Sequence, residues 1–194
     1  MLLTLEAAKS GVNMQFTHDT ATALTCTAAL VNTAPHVREP EGLPTAAALD
    51  AFLDTHAMSG RRDRDAAELA AVHALRPRLR ELWSGEEEDV VRVVNALLVE
   101  AAALPQLVRH DGWDYHLHAT DSDAPVAVRL GVEAAMAVVD VIRARELDRL
   151  RLCAADDCED VTVDLSKNRS RMYCDVSCAN RMHAAAYRAR RPGR

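Results

Sequence analysis

Four cysteines near the C-terminus have the clearest chemistry of any residues in the sequence. Cys153 and Cys158 are followed, after fifteen residues, by Cys174 and Cys178, which gives C-x4-C and then C-x3-C. Each pair can form a tight turn that directs two thiolates at one point, and the segment between the pairs can bring these points together. Four thiolates complete a tetrahedral sphere and leave no place for a reactive water, so the pattern predicts one structural Zn²⁺. The alternative is two disulfides in a secreted protein.

Other reactive residue types are given structural interpretations. Cys26 lies in a stretch rich in alanine and threonine, where a small buried residue is expected. His110, His116 and His118 raise the alternative of a second metal site, but exposed strand histidines explain them as well. Acidic residues 86–89 indicate the start of a helix, where the helix dipole favours negative charge. No nucleophile elbow, phosphate loop or HExxH motif occurs, so the sequence does not predict an enzyme.

The chain of 194 residues suits one medium domain and one small domain. Glu6 and Lys9 interrupt the apolar run at residues 1–5, so the N-terminus does not resemble a secretory signal. The most apolar stretch, residues 132–142, contains two acidic residues and is too short to span a bilayer. We therefore expect a cytoplasmic protein with no membrane partner.

Charge is distributed unevenly along the chain. The net charge is −6, but residues 166–194 contain eight basic residues and one acidic residue, a net of +7. The first 165 residues contain the remaining 15 basic and 28 acidic residues, a net of −13. The basic end favours a polyanionic partner or the acidic body of the chain itself.

Apolar periodicity predicts a mainly helical N-terminal part. Helices are expected over residues 22–32, after the cap Thr45, over 63–83, from the acidic run onward, and over 124–150. Pro77 should kink or split the third of these helices. The last is expected to lead almost directly into the cysteine-rich segment, as a stiff connection.

Two strand signals interrupt the helices. Asp111-Gly112 is a hairpin turn signal, and Trp113, Tyr115 and Leu117 alternate with polar residues after it. We expect this apolar face to pack on the helices. Nearer the C-terminus, residues 161–163 are interpreted as one strand of a second hairpin.

The predicted second hairpin returns along residues 169–173, and a final helix follows it. Asp175 or Ser177 can cap that helix, whose inward face is expected at residues 182, 185, 186 and 189. Metal ligands from a knuckle and from the first turn of a helix are typical of a treble-clef-like finger.

These residues carry a resemblance to a known family. Cys178-Ala179-Asn180-Arg181, preceded by Asp164-x-Ser166-x-x-Arg169-x-Arg171-x-Tyr173-Cys174, resembles the CGNR zinc finger. The chain departs from that pattern because Ala179 replaces the namesake glycine, Tyr173 replaces a usual tryptophan, and the last cysteine pair is one residue closer. Alanine is favourable inside a helix, so we expect the metal site to persist. The changes put in doubt any close contact that needed glycine.

The resemblance extends to the rest of the chain. CGNR fingers are paired with an N-terminal ABATE domain in proteins associated with stress-induced transcription regulation, and Leu30-Val31-Asn32-Thr33 and Trp113-x-x-His116-Leu117-His118 look like parts of that domain. The resemblance implies an α+β chain: a predominantly helical ABATE-like domain with a small β-hairpin over residues 1–150, which senses a ligand or takes part in interactions, and a treble-clef-like finger over 151–194. Asn32 could line a ligand pocket or cap its helix.

The resemblance also implies DNA binding. The leading hypothesis is a transcription regulator whose N-terminal domain senses a small-molecule effector or forms a homodimer. Asn180 and Arg181 are residue types that read adenine and guanine edges. Arg181 could instead brace the finger against Asp164, and Asn180 could be structural. The alternative function is a protein-interaction module in which zinc is a structural staple and the basic face docks on an acidic surface. The predicted nucleic-acid contacts are Lys167, Arg169, Arg171, Asn180, Arg181, Arg188, Arg190 and Arg191.

Overall fold

The computed structural model describes residues 16–36, 39–83, 85–109 and 114–190. Several predicted features lie outside these residues: the N-terminal entry segment up to residue 15, the Asp111-Gly112 turn, His110, Trp113 and Arg191.

Six α-helices dominate the described residues, in agreement with the predicted α+β class. The apolar α5 packs against α1, α3 and α4. A Cβ atom at Gly131 of α5 would lie 3.4 Å from side-chain carbons of Leu75 and Leu97, so α5 runs close to both neighbouring helices. The six helices are α1 (His18–Asn32), α2 (Ala46–Thr55), α3 (Ala66–Arg80), α4 (Glu87–Glu100), α5 (Val126–Arg143) and α6 (Val176–Ala189).

Side-chain caps start three of these helices. Thr45 Oγ1 accepts a hydrogen bond from the Ala48 N–H at the start of α2, at 3.1 Å, as the sequence predicts. Asp65 caps α3 in the same way. Asp175, the first of the two candidate caps, accepts from the Cys178 N–H at 2.8 Å and starts α6.

Of the two outcomes predicted at Pro77, the split does not occur, because α3 continues through Pro77 to Arg80 and then into a 3-10 turn at Glu81–Trp83. One predicted helix limit is wrong. The helix predicted to reach residue 150 ends at Arg143, and Arg145 then takes a left-handed φ of 57°. The connection to the C-terminal part is therefore a turn and not a continuous helix.

The first hairpin forms, but its predicted orientation is wrong. Strands β1 (Gln106–Val108) and β2 (His116–His118) pair antiparallel, with Leu107 opposite Leu117. Leu107, Leu117 and Tyr115 are exposed. The histidines of β2 instead form the face that contacts α5, because His118 makes an ion pair with Glu133.

The second hairpin joins the C-terminal part to the helical core. Strand β4 (Val161–Val163) forms as predicted, but it pairs antiparallel with β3 (Leu150–Leu152). Residues 169–173, the expected partner, form no strand. Leu150, Val161 and Val163 are buried in one core with the helices, so the expected division after residue 150 falls inside a strand that belongs to this core.

Among the described residues, no helix combines the length and apolar character needed to cross a membrane.

Candidate metal centre

The four cysteines predicted as ligands lie together. Cys153 directly follows β3, Cys158 lies in the turn before β4, Cys174 precedes α6, and Cys178 is in the first turn of α6. All four Sγ atoms lie within 4.8 Å of one another. Two of the separations are 3.7 Å, between Cys158 and Cys174, and 3.5 Å, between Cys174 and Cys178.

This geometry fits one tetrahedral zinc ion. A Zn–S bond of about 2.3 Å places the sulfur atoms of a tetrahedral centre about 3.8 Å apart. All four thiols are free, so the disulfide alternative is not what the structure shows. Cys153 and Cys178 are buried and the other two are half-buried, which suits a closed structural site. The centre is held by a strand end, a turn and a helix start, as in a treble-clef-like finger.

At two of the four cysteines, burial disfavours the thiolate. Burial raises the pKa of Cys158 to about 12, and burial likewise raises the pKa of the Cys174 thiol. A bound zinc ion reverses this preference because each coordinating thiol loses its proton. The chemistry that zinc supplies here is structural, since it ties three separate segments to one centre.

Hydrogen bonds from the surrounding residues support the sulfur atoms. The Cys174 N–H donates to Cys153 Sγ at 3.4 Å, and Arg181 Nη2 donates to Cys178 Sγ at 3.2 Å. Arg181 also contacts Asp157 at 2.7 Å, so it does brace the finger, although not against Asp164 as the sequence suggested. A positive charge beside a cysteine thiolate offsets part of the negative charge of a four-thiolate centre.

Asp164 organises the loop that approaches the centre. Its carboxylate is fully buried and accepts hydrogen bonds from the Ser166 hydroxyl at 2.5 Å and from the Arg171 N–H at 2.9 Å. Burial acts to raise the pKa of Asp164, but the hydrogen bonds from Ser166 and Arg171, with the charge of Arg151, bring the pKa below its ordinary value. The carboxylate is therefore charged and fixes the path of residues 164–171.

The predicted nucleic-acid contacts separate into two groups. Arg169 donates to Glu146 at 2.7 Å and to Asp148 at 2.8 Å, while Arg171 Nη2 donates to the Cys174 carbonyl at 2.6 Å. Arg171 and Arg181 therefore make contacts within the finger, and Arg169 connects the finger to the segment after α5. Arg169 and Arg171 are nevertheless exposed, as are the members of the second group: Lys167, Asn180, Arg188 and Arg190.

Helix α6 is anchored at its start and exposed along most of its length. Among the residues of α6 whose side chains are described, Cys178 is the one that is buried. Met182 packs against the cysteine cluster. Met182 and Ala185 are half-buried, but Ala186 is exposed, so the predicted inward face is only partly formed. The exposed face includes Tyr187.

Asn32 lies at the end of α1 and contacts strand β4, which leads into the second half of the finger. Its Nδ2 donates to the Val161 carbonyl at 2.9 Å, and its Oδ1 accepts from the Val161 N–H at 2.8 Å. Beside this pair, Trp83 Nε1 donates to the Thr162 carbonyl at 2.9 Å. Sequence reasoning missed both contacts because each joins residues that are 79 or 129 positions apart. With both polar groups of its amide engaged, Asn32 has a structural role in this geometry.

Two family models match the chain in consecutive regions. One, ABATE, described as "Putative stress-induced transcription regulator", matches residues 25–145. The other, the CGNR zinc finger, matches residues 149–191 and contains all four cysteines. Neither is an enzyme family. A comparison with curated proteins found no match.

Proposed function

Because the chain belongs to the ABATE family and ends in a CGNR zinc finger, we propose that it is a DNA-binding transcription regulator. The finger contacts DNA through α6 and the adjacent loop. The N-terminal helical domain senses a ligand or forms a dimer.

The observation that carries this proposal is a set of exposed basic side chains on the finger. Three of these side chains are exposed and make no ion pair among the described residues: Lys167 on the loop, Arg188 on α6 and Arg190 directly after α6. Such side chains can neutralise phosphates with little loss of internal stability.

The form of α6 supports a role in a DNA groove. A helix of 14 residues whose first turn is fixed by a metal ligand projects as a stiff element, and the major groove admits one α-helix. Asn180 is exposed in its second turn and is of the residue type that pairs with adenine. Arg169, Arg171 and Arg181 support the finger and are not assigned to DNA, which narrows the contact set predicted from the sequence.

The test is binding of the zinc-loaded protein to random-sequence duplex DNA over a series of salt concentrations. Each phosphate contact contributes about −0.9 to the slope of log K against log [salt]. Replacing both Arg188 and Arg190 with glutamine should therefore weaken binding and reduce the slope by about 2. The matched control is Arg143→Gln, which removes an exposed arginine at the end of α5 and should leave the slope unchanged.

The outcomes separate DNA binding from protein docking. Salt-dependent binding that falls in the double variant but not in the control supports the proposal. Failure of the zinc-loaded, folded protein to bind DNA at low salt would contradict it. The alternative is a finger whose basic residues contact acidic protein surfaces and not DNA. Within this chain, Arg169 makes such a contact with Glu146 and Asp148. That alternative predicts a stable protein complex without nucleic acid.

A further inference from the structure

The hairpin of β1 and β2 exposes apolar side chains that folded proteins usually bury. Leu107 and Leu117 lie opposite each other, and Tyr115 shares their face because it lies two residues before Leu117. Leu104 lies at the base of the hairpin, where its N–H donates to the Ala119 carbonyl at 3.0 Å. All four large side chains are exposed. We define Leu104, Leu107, Tyr115 and Leu117 as the apolar hairpin surface.

Single exposed apolar side chains are normal, but the hairpin concentrates them. Of the ten large apolar side chains that are exposed among the described residues, four belong to the apolar hairpin surface. The ion pair between His118 and Glu133 turns the opposite side of the sheet towards α5, so the helical core of the same copy does not cover the apolar side. The surface is therefore available to a second molecule.

Strand β1 also has an open edge. Within the described part of the chain its sheet contains only β1 and β2, so the edge of β1 that faces away from β2 has no strand partner there. Unpaired edges attract other strands unless charged residues, prolines or covering elements block them. β1 contains no charged residue and no proline, and Gln106 and Leu107 are exposed. The edge can therefore accept a strand from another chain.

We propose that the apolar hairpin surface is the interface of a homodimer, in which β1 pairs antiparallel with β1 of a second copy. An isologous interface uses the same patch on both copies, so the patch has to complement itself. An apolar face meets this condition, and a strand edge pairs antiparallel with its own copy across a twofold axis. The two hairpins then form one four-stranded sheet, with the two copies of Leu107 close to the axis.

The exposed area is sufficient for such a dimer. The exposed fractions on the apolar hairpin surface are 71%, 67%, 67% and 44%, which amount to roughly 500 Å² per copy if a fully exposed side chain of this size has roughly 200 Å². When both copies are fully covered, they contribute roughly 1,000 Å², the area that a specific interface needs. Pairing of the two β1 edges adds main-chain hydrogen bonds to this contact.

Charge and symmetry favour a second copy as the occupant. The first 165 residues have a net charge of −13, so two copies repel each other overall. β1 and β2 contain no acidic residue, so the strands themselves add no repulsion where the hairpins meet. A different protein has to supply an apolar strand of its own, whereas a second copy supplies one by symmetry.

This inference deepens the proposed function, because it selects dimer formation as a task of the N-terminal domain, and its role in DNA recognition rests on that function. A dimer presents two zinc fingers, with two sets of exposed basic side chains, to one DNA duplex. The association itself does not require DNA and is measured without it.

The experiment is sedimentation equilibrium of the zinc-loaded full chain without DNA, over a series of protein concentrations. The wild type should reach twice the mass of one chain. Leu107→Glu should raise the dissociation constant by at least about 100-fold, because like charges then face each other across a desolvated strand pair. The Leu107 side chain is largely exposed within one copy, so this variant should fold, and far-UV circular dichroism and the zinc content check that it does.

The matched control is Leu152→Glu, the same change at an exposed residue of the second hairpin, which should leave the dimer unchanged. A wild type that stays monomeric at every concentration overturns the proposal and leaves the apolar hairpin surface to a different partner. A dimer that persists in the folded Leu107→Glu variant also overturns it, because the contact then lies elsewhere. A monomer that still binds DNA refutes only the dimer, whereas a dimer that does not bind DNA refutes only the proposed function.

Discussion

Replacing Asn32 tests how the helical domain holds the finger. The two hydrogen bonds of its amide, at 2.9 and 2.8 Å, satisfy the backbone N–H and C=O of Val161, a residue that is 1% exposed. In Asn32→Ala both backbone groups lose their partners in a buried strand. An unsatisfied buried group costs about 1–3 kcal/mol, so we expect the free energy of unfolding to fall by about 2–4 kcal/mol, allowing for some access of water.

A second variant separates hydrogen bonding from packing. Asn32→Asp has nearly the same shape and keeps an acceptor for the Val161 N–H, but it places negative charge against the Val161 carbonyl oxygen. It should be at least as destabilising as alanine near neutral pH, because one oxygen of the half-buried carboxylate would face the Val161 carbonyl oxygen without a donor. The matched control is Asn95→Ala, at an exposed position of α4, which should change stability by at most about 0.5 kcal/mol.

The assay is urea unfolding of the zinc-loaded proteins, with thermal melting as a second measure. For a chain of this size, each kcal/mol corresponds to about 2–4 °C, so Asn32→Ala should melt about 5–15 °C below the wild type. A loss of less than about 1 kcal/mol in Asn32→Ala would refute the reasoning. That result would leave the two roles expected from the sequence, in which Asn32 lines a ligand pocket or caps its helix.

Three further predictions concern ion pairs and metal. Glu146→Gln should destabilise the protein by about 3 kcal/mol in urea unfolding, because the carboxylate is buried between Arg149 and Arg169, each at 2.7 Å; an unchanged midpoint would contradict this. The hydrogen bond from Arg76 brings the pKa of Glu41 from its ordinary 4.5 to about 2, so its contribution to stability is present above pH 4.5 and is lost as the pH falls towards 2. Glu41→Gln should flatten the measured pH dependence of stability over that interval, and a curve with the wild-type slope would count against the pair. Removing zinc with a chelator should abolish the circular dichroism signal of about the 14 residues of α6, while the fluorescence of core tryptophan persists; a helical signal independent of zinc would oppose a structural metal.

The sequence predicts the metal centre well because its determinants are local. Cys153 and Cys158 are separated by a short turn, and Asp175 is three residues before Cys178, so spacing alone places ligands and the helix cap. The four sulfur atoms, and the zinc they fit, follow from that spacing. The helix start at Thr45 is predictable for the same reason, since a capping group acts within one turn. The start near residue 86 has no side-chain cap and is predictable from the acidic residues of its first turn.

The orientation of the first hairpin is not predictable from alternation alone. Leu117 and Tyr115 are the more apolar residues, yet the opposite face is turned inward because His118 meets Glu133 from α5. That carboxylate lies fifteen residues later in another element, and nothing local to β2 signals it. An ion pair with α5 thus determines which side of a short strand faces the helices.

The basic residues of the finger show a similar limit. Their charge and spacing in the sequence do not distinguish Arg169 from Arg188. In the structure, Arg169 makes ion pairs with Glu146 and Asp148, which lie in the connection after α5. Arg188 lies near the far end of α6 and is exposed. Only the tertiary structure shows which arginines hold the finger in place and which remain available for phosphates.

The attachment of the finger has a consequence for DNA recognition. The backbone of β4 is held by Asn32 at Val161 and by Trp83 at Thr162. The segment that contains Cys153 and Cys158 connects β4 to its partner strand β3. The metal centre is therefore fixed to the helical core through buried contacts, and α6 starts directly from that centre. If two copies associate through their N-terminal domains, the dimer contact alone sets the distance between the two α6 helices. In helix-in-groove recognition that distance determines the spacing of the half-sites, so a dimer of this protein should tolerate little variation in the spacing of its DNA sequence.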